Sequence, residues 1–369
     1  MRPAAISQDV VTTSIELIKK WQEPNGAYAA SPDFVAYTGY CWLRDGAFIA
    51  DAMSVAGEKE SASAFFNWCT STLLRHEDLI SEVINASQGG ELPDIHHMPP
   101  TRFTFEGEIQ DDGWENFQLD GYGTWVWAAL AHTRRHGLCI SRWQPAIALS
   151  IRYICACWDR PCYDWWEEHS EHQHVSTLGC LVAGLREAID SKVLDPDLEQ
   201  KARIAKDAML ERIASEGVVH NHLTKWIGGV DIDASLAALI SPLGIVDPLS
   251  VVASHTIENI DVQLCVAGGV HRFLADKYYG GGQWPLLSCF LGLGYLAIGR
   301  KERAHELLMW ACGTANENGD IPEQVDWHML DALHAPYWRK RWGAAASPLL
   351  WSHAMVIRLY HALLMEDAI

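Results

Sequence analysis

Residues 285–316 read PLLSCFLGLGYLAIGRKERAHELLMWACGTAN and contain two helical segments joined by a turn at 299–300. The first segment, 285–298, consists almost entirely of apolar and small side chains, which favours a helix buried on all sides. The second, 301–316, also carries charged residues and needs to bury only one face. The stretch therefore predicts a helical hairpin with one inner and one outer member.

Similar hairpins follow one another along the chain, while alternating strand patterns are almost absent. We predict twelve helical segments, at 8–21, 45–56, 60–84, 123–137, 143–158, 175–189, 196–215, 232–240, 248–260, 285–298, 301–316 and 348–364. Connections after the even-numbered segments are short, and those after the odd-numbered segments are long. This alternation predicts an all-α fold, an (α/α)6 barrel or toroid of twelve helices with the even-numbered helices inside. An open solenoid or a helical bundle is the alternative.

The long connections are the expected place for a functional site. They lie at 22–44, 85–122, 159–174, 216–231, 261–284 and 317–347. In a closed barrel they meet at one mouth, and binding and catalytic residues concentrate on such loops above a rigid scaffold. Because no stretch has the composition of a linker, we expect residues 1–369 to form a single (α/α)6 catalytic domain.

Composition narrows the class of protein. The formal net charge is −19, so nucleic acid and anionic membranes are poor partners. No apolar run reaches the ~18 residues of a transmembrane helix, and the first residues lack a signal-peptide core. Ten cysteines without a CxxC motif are typical of reduced thiols, which together with these features predicts a cytoplasmic protein. Seventeen tryptophans offer flat faces for sugar rings, although core packing explains many of them equally well.

Carboxylates stand in two of the long connections. The stretch YDWWEEH at 163–169 places Glu167 and Glu168 among tryptophans. Apolar walls and a like charge both raise the pKa of a carboxyl group, as a general acid requires. An exposed acidic loop is the alternative. The stretch GDIPEQVD at 319–326 supplies Glu323, and glycoside hydrolysis needs two carboxyl groups on opposite sides of the scissile bond.

Three further loops combine side chains suited to sugar hydroxyls. The stretch YTGYCWLRDG at 37–46 sets Arg44 beside Asp45, which offers donors and acceptors side by side. A helix-capping aspartate with an ion-paired arginine is the alternative. The loops at 114–122 and 271–284 join aromatic with hydrogen-bonding residues. No metal or other cofactor is expected, because the histidines at 96–97 and 169–174 lack a ligand pattern such as HExxH.

Taken together, WLRDG, the segment from Trp114 to Gly121, YDWWEE, the segment from Arg272 to Trp284 and PEQ resemble the glucoamylase family, glycoside hydrolase family 15. They occur in the family's order across residues 37–355. The resemblance implies an (α/α)6 barrel, inversion at the anomeric carbon, Glu167 as general acid and Glu323 as general base. It also implies substrate-binding roles for Tyr40, Trp42, Arg44, Asp45, Trp114, Asp120, Trp166, Glu168, Arg272, Tyr278 and Trp284. A tyrosine that some members place four residues before the tryptophan of WLRD is Thr38 here, and Tyr37 or Tyr40 could substitute.

The resemblance also bears on the substrate. We expect neither a β-sandwich domain nor a starch-binding module beside the barrel, which favours short oligosaccharides over granular starch. The expected activity is exo-acting release of β-glucose from the non-reducing end of isomaltose or isomalto-oligosaccharides. Activity on α-1,4 links, trehalose hydrolysis, a barrel epimerase or phosphorylase, and a non-catalytic barrel related to phosphorylase kinase regulatory subunits are the alternatives. The sequence leaves the oligomeric state open.

Overall fold

The computed structural model describes residues 3–90, 93–114 and 116–367, and helices dominate these ranges. The helices are α1 (Pro3–Lys20), α2 (Leu43–Val55), α3 (Lys59–Arg75), α4 (Glu77–Gln88), α5 (Asp120–His136), α6 (Gln144–Cys157), α7 (Val175–Asp190), α8 (Pro196–Glu216), α9 (Ala237–Ile240), α10 (Val251–Leu264), α11 (Pro285–Ala297), α12 (Lys301–Cys312), α13 (Ala335–Trp342) and α14 (Leu350–Asp367). Short 3₁₀ turns lie at Ile95–His97, Ala234–Leu236, Tyr278–Gly280 and Ala332–His334. Antiparallel strand pairs join β1 (Tyr40–Trp42) to β2 (Arg102–Thr104), β3 (Val218–Val219) to β4 (His222–Leu223), and β5 (Cys265–Val266) to β6 (Gly269–Val270).

Six helices form a closed inner ring. Each contacts the next in the order α2, α5, α7, α9, α11 and α14, and α14 returns to α2. The outer helices α1, α3, α6, α8, α10 and α12 alternate with them along the chain and pack against them. The predicted (α/α)6 barrel is thus confirmed, with the even-numbered predicted segments inside. Closure of the ring rules out the open solenoid.

Burial follows the difference between inner and outer helices. In α11 every residue from Pro285 to Tyr295 is buried, whereas α12 buries only one face. Small residues let the inner helices approach closely. A Cβ on Gly123 of α5 would lie 2.3 Å from the carbonyl oxygen of Cys180 in α7, so this contact is made between backbones. No helix within the described ranges is long and apolar enough to cross a membrane.

The structure departs from the predicted segments in three places. The segment 60–84 is two helices, because His76 leaves the helical conformation and its ring bonds to the carbonyl oxygen of Gly107. The segment 232–240 has only one α-helical turn, α9, after a 3₁₀ turn that Asp233 caps. The connection 317–347 contains an additional helix, α13, which the sequence pattern did not indicate.

Candidate active site

A cavity of about 360 Å³ opens at the end of the barrel where the long connections meet. Five of the six long connections supply lining residues, and the starts of α2 and α14 supply the rest. The lining consists of Ala30, Phe34, Ala36, Tyr37, Trp42, Arg44, Asp45, Asp112, Gly113, Trp114, Trp165, Trp166, Glu167, Glu168, Arg272, Tyr278, Trp284, Glu323, Trp338, Arg341, Trp342, Leu349 and Trp351. The volume is near the lower end of the ~300–1,000 Å³ typical of small-molecule sites.

Glu167 lies on one wall of the cavity, between two indole rings. Its Oε1 accepts a hydrogen bond from Trp42 Nε1 at 2.7 Å, and its Oε2 accepts one from Trp114 Nε1 at 2.8 Å. The backbone of Glu167 has a φ of 63°, a left-handed conformation that is uncommon for a residue with a side chain. Such strain persists only where the surroundings impose it, and it is concentrated at functional sites.

A buried charge network holds this wall. Asp164 Oδ1 accepts hydrogen bonds from the backbone N–H groups of Trp166 and Glu168, both at 2.9 Å. Lys225 donates to Asp164 at 2.9 Å and also to Asp233, which accepts a 3.0 Å hydrogen bond from the indole of Trp166. All three charged groups are buried. The network therefore fixes the turn that presents Glu167.

Glu323 is buried in the facing connection. Its backbone N–H donates to the carbonyl oxygen of Ala346 at 2.8 Å, and its Oε1 accepts a hydrogen bond from the Tyr37 hydroxyl at 2.7 Å. The Tyr37 hydroxyl lies 3.2 Å from that of Tyr278. Within the described residues, Glu323 Oε2 has no hydrogen-bond partner. Because Glu323 belongs to the cavity lining, this unpartnered oxygen keeps its capacity to accept a hydrogen bond from a ligand or a water molecule.

Two aromatic side chains separate the carboxyl groups. The ring of Tyr37, which bonds to Glu323, meets the ring of Trp42 edge to face at 5.4 Å between centroids. Trp42 in turn bonds to Glu167. The two glutamates thus line the same cavity and are linked through Tyr37 and Trp42.

Arg44 and Asp45 lie at the start of α2, within the cavity lining. Arg44 Nη2 is 3.2 Å from Asp45 Oδ2, and Arg44 Nη1 is 3.3 Å from Asp120 Oδ2. Arg44 and Asp120 are almost completely buried, so the guanidinium is held rigidly between two carboxylates. Burial raises the pKa of Asp45 to about 6, and Arg44 opposes the shift. The start of α2 thus lines the cavity with fixed donors and acceptors.

A second buried arginine adjoins Glu168. Arg272 Nη2 donates to Glu168 Oε1 at 3.0 Å, and Arg272 Nε donates to Asp276 Oδ2 at 2.8 Å. Its guanidinium lies about 5 Å from the ring centroids of Tyr278 (5.2 Å) and Trp284 (5.4 Å), within cation–π range. The group joins the 261–284 connection to the wall that carries Glu167.

Burial raises the pKa of both glutamates to about 7. For Glu167, Arg44 and the two indole N–H groups oppose the shift, and Asp45 adds to it. For Glu323, the Tyr37 hydroxyl and Arg272 oppose the shift. From the sequence we expected Glu168 to supply the like charge that raises the pKa of Glu167. Asp45 supplies that charge instead, and desolvation acts on both carboxyl groups because both are enclosed.

Most of the predicted site residues converge on the cavity. Trp42, Arg44, Asp45, Trp114, Trp166, Glu167, Glu168, Arg272, Tyr278, Trp284 and Glu323 all line it. Two predicted contacts do not. Tyr40 turns away, where its hydroxyl donates to Asp112 at 3.0 Å and its ring packs on Arg102. Asp120 lies behind Arg44 and is fully buried. Of the two tyrosines left open by the sequence, Tyr37 is the one that reaches Glu323.

Several lining residues were missed. Trp351 lies at the start of α14, with its ring 5.6 Å from the Arg44 guanidinium. Trp338, Arg341 and Trp342 belong to α13. The tryptophans of the 338–351 region were visible in the sequence, but nothing in the pattern distinguished them from core residues.

The histidines at 169 and 172 pack on the ring of Trp226, and His172 stacks on it at 4.2 Å.

A concave site at the mouth of an (α/α)6 barrel, lined by aromatic rings and by two carboxyl groups whose pKa values are raised, defines a glycoside hydrolase. The sequence matches the family described as Glycosyl hydrolases family 15 over residues 5–291, and the chain belongs to that family. It is 44% identical over 344 residues to an isomaltose glucohydrolase of Kribbella flavida, an alignment that covers 93% of this chain and 89% of that protein.

Solved structures agree with this assignment. A glycosidase in complex with glucose has a TM-score of 0.95 and 42% identity, and the match covers 98% of this chain and 97% of that chain. A glucoamylase from Saccharomycopsis fibuligera shares the fold, with a TM-score of 0.73, 14% identity and coverage of 99% and 95%.

Proposed function

We propose that this hydrolase removes single glucose units from the non-reducing end of short α-glucosides, with isomaltose and isomalto-oligosaccharides as its substrates. The observation that carries the proposal is that Glu167 and Glu323 line one cavity and are held by different partners, the indoles of Trp42 and Trp114 for Glu167 and the Tyr37 hydroxyl for Glu323. Two carboxyl groups with room for water between them suit an inverting hydrolase, which would release β-glucose. The identity to an isomaltose glucohydrolase supports the α-1,6 linkage.

In this proposal Glu167 is the general acid. Its pKa of about 7 keeps a substantial fraction protonated near neutral pH, as proton donation to a leaving oxygen requires. Each of its oxygens accepts one indole hydrogen bond and retains a second lone pair. The carboxyl group can therefore carry a proton while the two indoles fix its orientation.

Glu323 is the general base. Tyr37 holds one of its oxygens, and the other is free within the described part of the site to take a proton from a water molecule. That water attacks the anomeric carbon from the side opposite the leaving group, which inverts the configuration. The Tyr37 hydrogen bond stabilises the ionised form of Glu323, which is the form that a base needs.

The closed end of the cavity accounts for exo-action. Arg44 and Asp45 present fixed donors and acceptors to the hydroxyl groups of a terminal glucose. Trp351 and Trp166 provide flat faces beside them. In this proposal the sugar chain ends at Arg44 and Asp45, so hydrolysis proceeds from the non-reducing terminus. Tyr40 and Asp120 act behind the lining by supporting Asp112 and Arg44.

We further infer that the barrel acts as a single catalytic domain in the cytoplasm. Its ten cysteines are all free thiols, and six of them are fully buried with relative exposures of 0% to 1%. Unpaired cysteines in this number are typical of a reducing compartment. Fractionation of the native host tests the location.

The substrate assignment is tested by measuring glucose release from maltose, isomaltose, trehalose and panose at equal concentrations. We expect isomaltose to show the highest kcat/KM, by about tenfold over maltose, because the cavity discriminates between linkages by the placement of the second sugar. Trehalose as the preferred substrate, or a requirement for inorganic phosphate, would overturn the assignment.

The pKa values lead to a prediction for pH dependence. Activity requires Glu323 ionised and Glu167 protonated, so kcat/KM should follow a narrow bell centred near pH 7. Tyr37→Phe removes a hydrogen bond that lowers the pKa of Glu323. The pKa of the base then rises, and the acidic limb of the bell moves to higher pH. Tyr40→Phe, which removes a hydroxyl outside the cavity, should leave the acidic limb in place. An acidic limb that is unmoved in Tyr37→Phe would remove Glu323 from this role.

The acid and the base can be told apart by the leaving group. Glu167→Gln removes the proton donor, so kcat/KM on isomaltose should fall by about 10²–10⁴-fold. It should fall far less on α-glucosyl fluoride, because fluoride leaves with little protonation. Glu323→Gln should impair both substrates, and Glu171→Gln, an exposed carboxyl in the same connection as Glu167, should impair neither. Equal losses on both substrates in Glu167→Gln would withdraw its assignment as the acid.

A further inference from the structure

Helix α13 lies over the mouth of the cavity, within the connection between α12 and α14. The side chain of Trp338 anchors α13 to the 261–284 connection, because its Nε1 donates to the carbonyl oxygen of Lys277 at 3.0 Å. The Tyr279 hydroxyl donates to the carbonyl oxygen of Gly343 at 3.2 Å, directly after the helix. Gly343 has a φ of 87°, which lets the chain turn away sharply where α13 ends.

Aromatic contacts join α13 to both walls of the site. The ring of Trp338 meets that of Tyr278 at 4.9 Å, and the ring of Trp342 meets that of Trp114 at 6.4 Å. Tyr278 adjoins the Tyr37 hydroxyl on the Glu323 side, whereas Trp114 bonds to Glu167. The helix therefore bridges the two carboxyl groups and bounds the space that receives the leaving group.

Arg341 is the charged group of this bridge. Its guanidinium lies 4.7 Å from the ring centroid of Trp342 and 5.7 Å from that of Trp338. Within the described ranges its one hydrogen bond is a long one, 3.4 Å to the Tyr337 hydroxyl, and no carboxylate pairs with it. Arg44 and Arg272, by contrast, are each held by two carboxylates. A guanidinium has five N–H donors, so Arg341 retains donors for a ligand at the mouth.

We propose that α13 selects the chain length of the substrate. Trp338 and Trp342 enclose the sugar unit on the leaving side of the scissile bond, and Arg341 donates hydrogen bonds to the hydroxyl groups of that unit. A third unit has to displace the bridge between Trp342 and Trp114. The inference deepens the proposed function and rests on it, since it assumes that the terminal glucose binds at Arg44 and Asp45.

The size of the cavity agrees with this selection. The cavity has a volume of about 360 Å³, and three side chains of α13, Trp338, Arg341 and Trp342, belong to its lining. The rings of Trp338 and Trp342 are half-buried against Tyr278 and Trp114, so a longer chain has to separate ring contacts that a disaccharide leaves in place. The ratio of kcat/KM between a disaccharide and longer chains is therefore expected to depend on α13.

The test compares α-1,6-linked oligosaccharides of two to five glucose units. In the wild-type protein kcat/KM should fall with length, and Trp342→Ala should change the ratio of trisaccharide to disaccharide by about tenfold in favour of the trisaccharide. Trp342→Phe should restore most of the wild-type profile. Trp327→Ala, a largely exposed tryptophan in the same connection but outside the lining, is the matched control and should keep the profile.

Assays on α-glucosyl fluoride, which has no second sugar, distinguish a contact of Arg341 with that sugar from a folding defect. A folding defect would lower activity on both substrates alike. Arg341→Ala should raise KM for isomaltose, with a loss in kcat/KM about tenfold greater than its loss on the fluoride. Lys340→Ala, an exposed cation on the same helix, should show no such difference. An active enzyme whose length profile is the same in wild type and Trp342→Ala, or an Arg341→Ala loss that is equal on both substrates, would overturn the inference. If the wild type released glucose from no α-glucoside, the proposed function itself would fail.

Discussion

Closure of the inner helical ring is the constraint on which the remaining structure depends. Six inner helices can be buried on every side only if each is returned to the ring by an outer helix. All long connections then emerge at the same end of the barrel, and five of them line one cavity. Backbone strain is located there as well, since Glu167 and Tyr279 both have positive φ values. The rigid ring thus supports loops that would not hold these conformations alone.

The electrostatics of the site follow from this enclosure. Two buried cations, Arg44 and Arg272, line the cavity, and a third, Lys225, is buried beside the turn that carries Glu167; each is paired with two carboxylates. Each set of one cation and two carboxylates carries a net negative charge, and its surroundings exclude water. Desolvation dominates under these conditions, and it raises the pKa of Glu167 and Glu323 alike. Hydrogen bonds from Trp42, Trp114 and Tyr37 limit the rise, so both groups can titrate near neutral pH.

Much of the fold could be predicted from the sequence, because helical periodicity and the alternation of short and long connections are local properties. The inner ring, its order and its mouth were predicted in this way. Loops that line the cavity could be identified because their carboxylates and tryptophans are adjacent in the chain, as in the stretch 163–169. Contacts between distant segments left no such pattern. The hydrogen bond of Tyr37 to Glu323 joins residues 286 positions apart. The sequence of α13 has the pattern of a loop, and its tryptophans Trp338 and Trp342 pack on residues of distant connections.

The anomeric form of the first product tests the central claim most directly. The claim is that Glu167 and Glu323 act from separate walls with a water molecule between them, without a covalent intermediate. Proton NMR of glucose recorded within the first turnovers on isomaltose, before mutarotation, measures the form released. The account predicts β-glucose first, with the α-anomer growing only as mutarotation proceeds. Early accumulation of α-glucose would show retention of configuration and would contradict it.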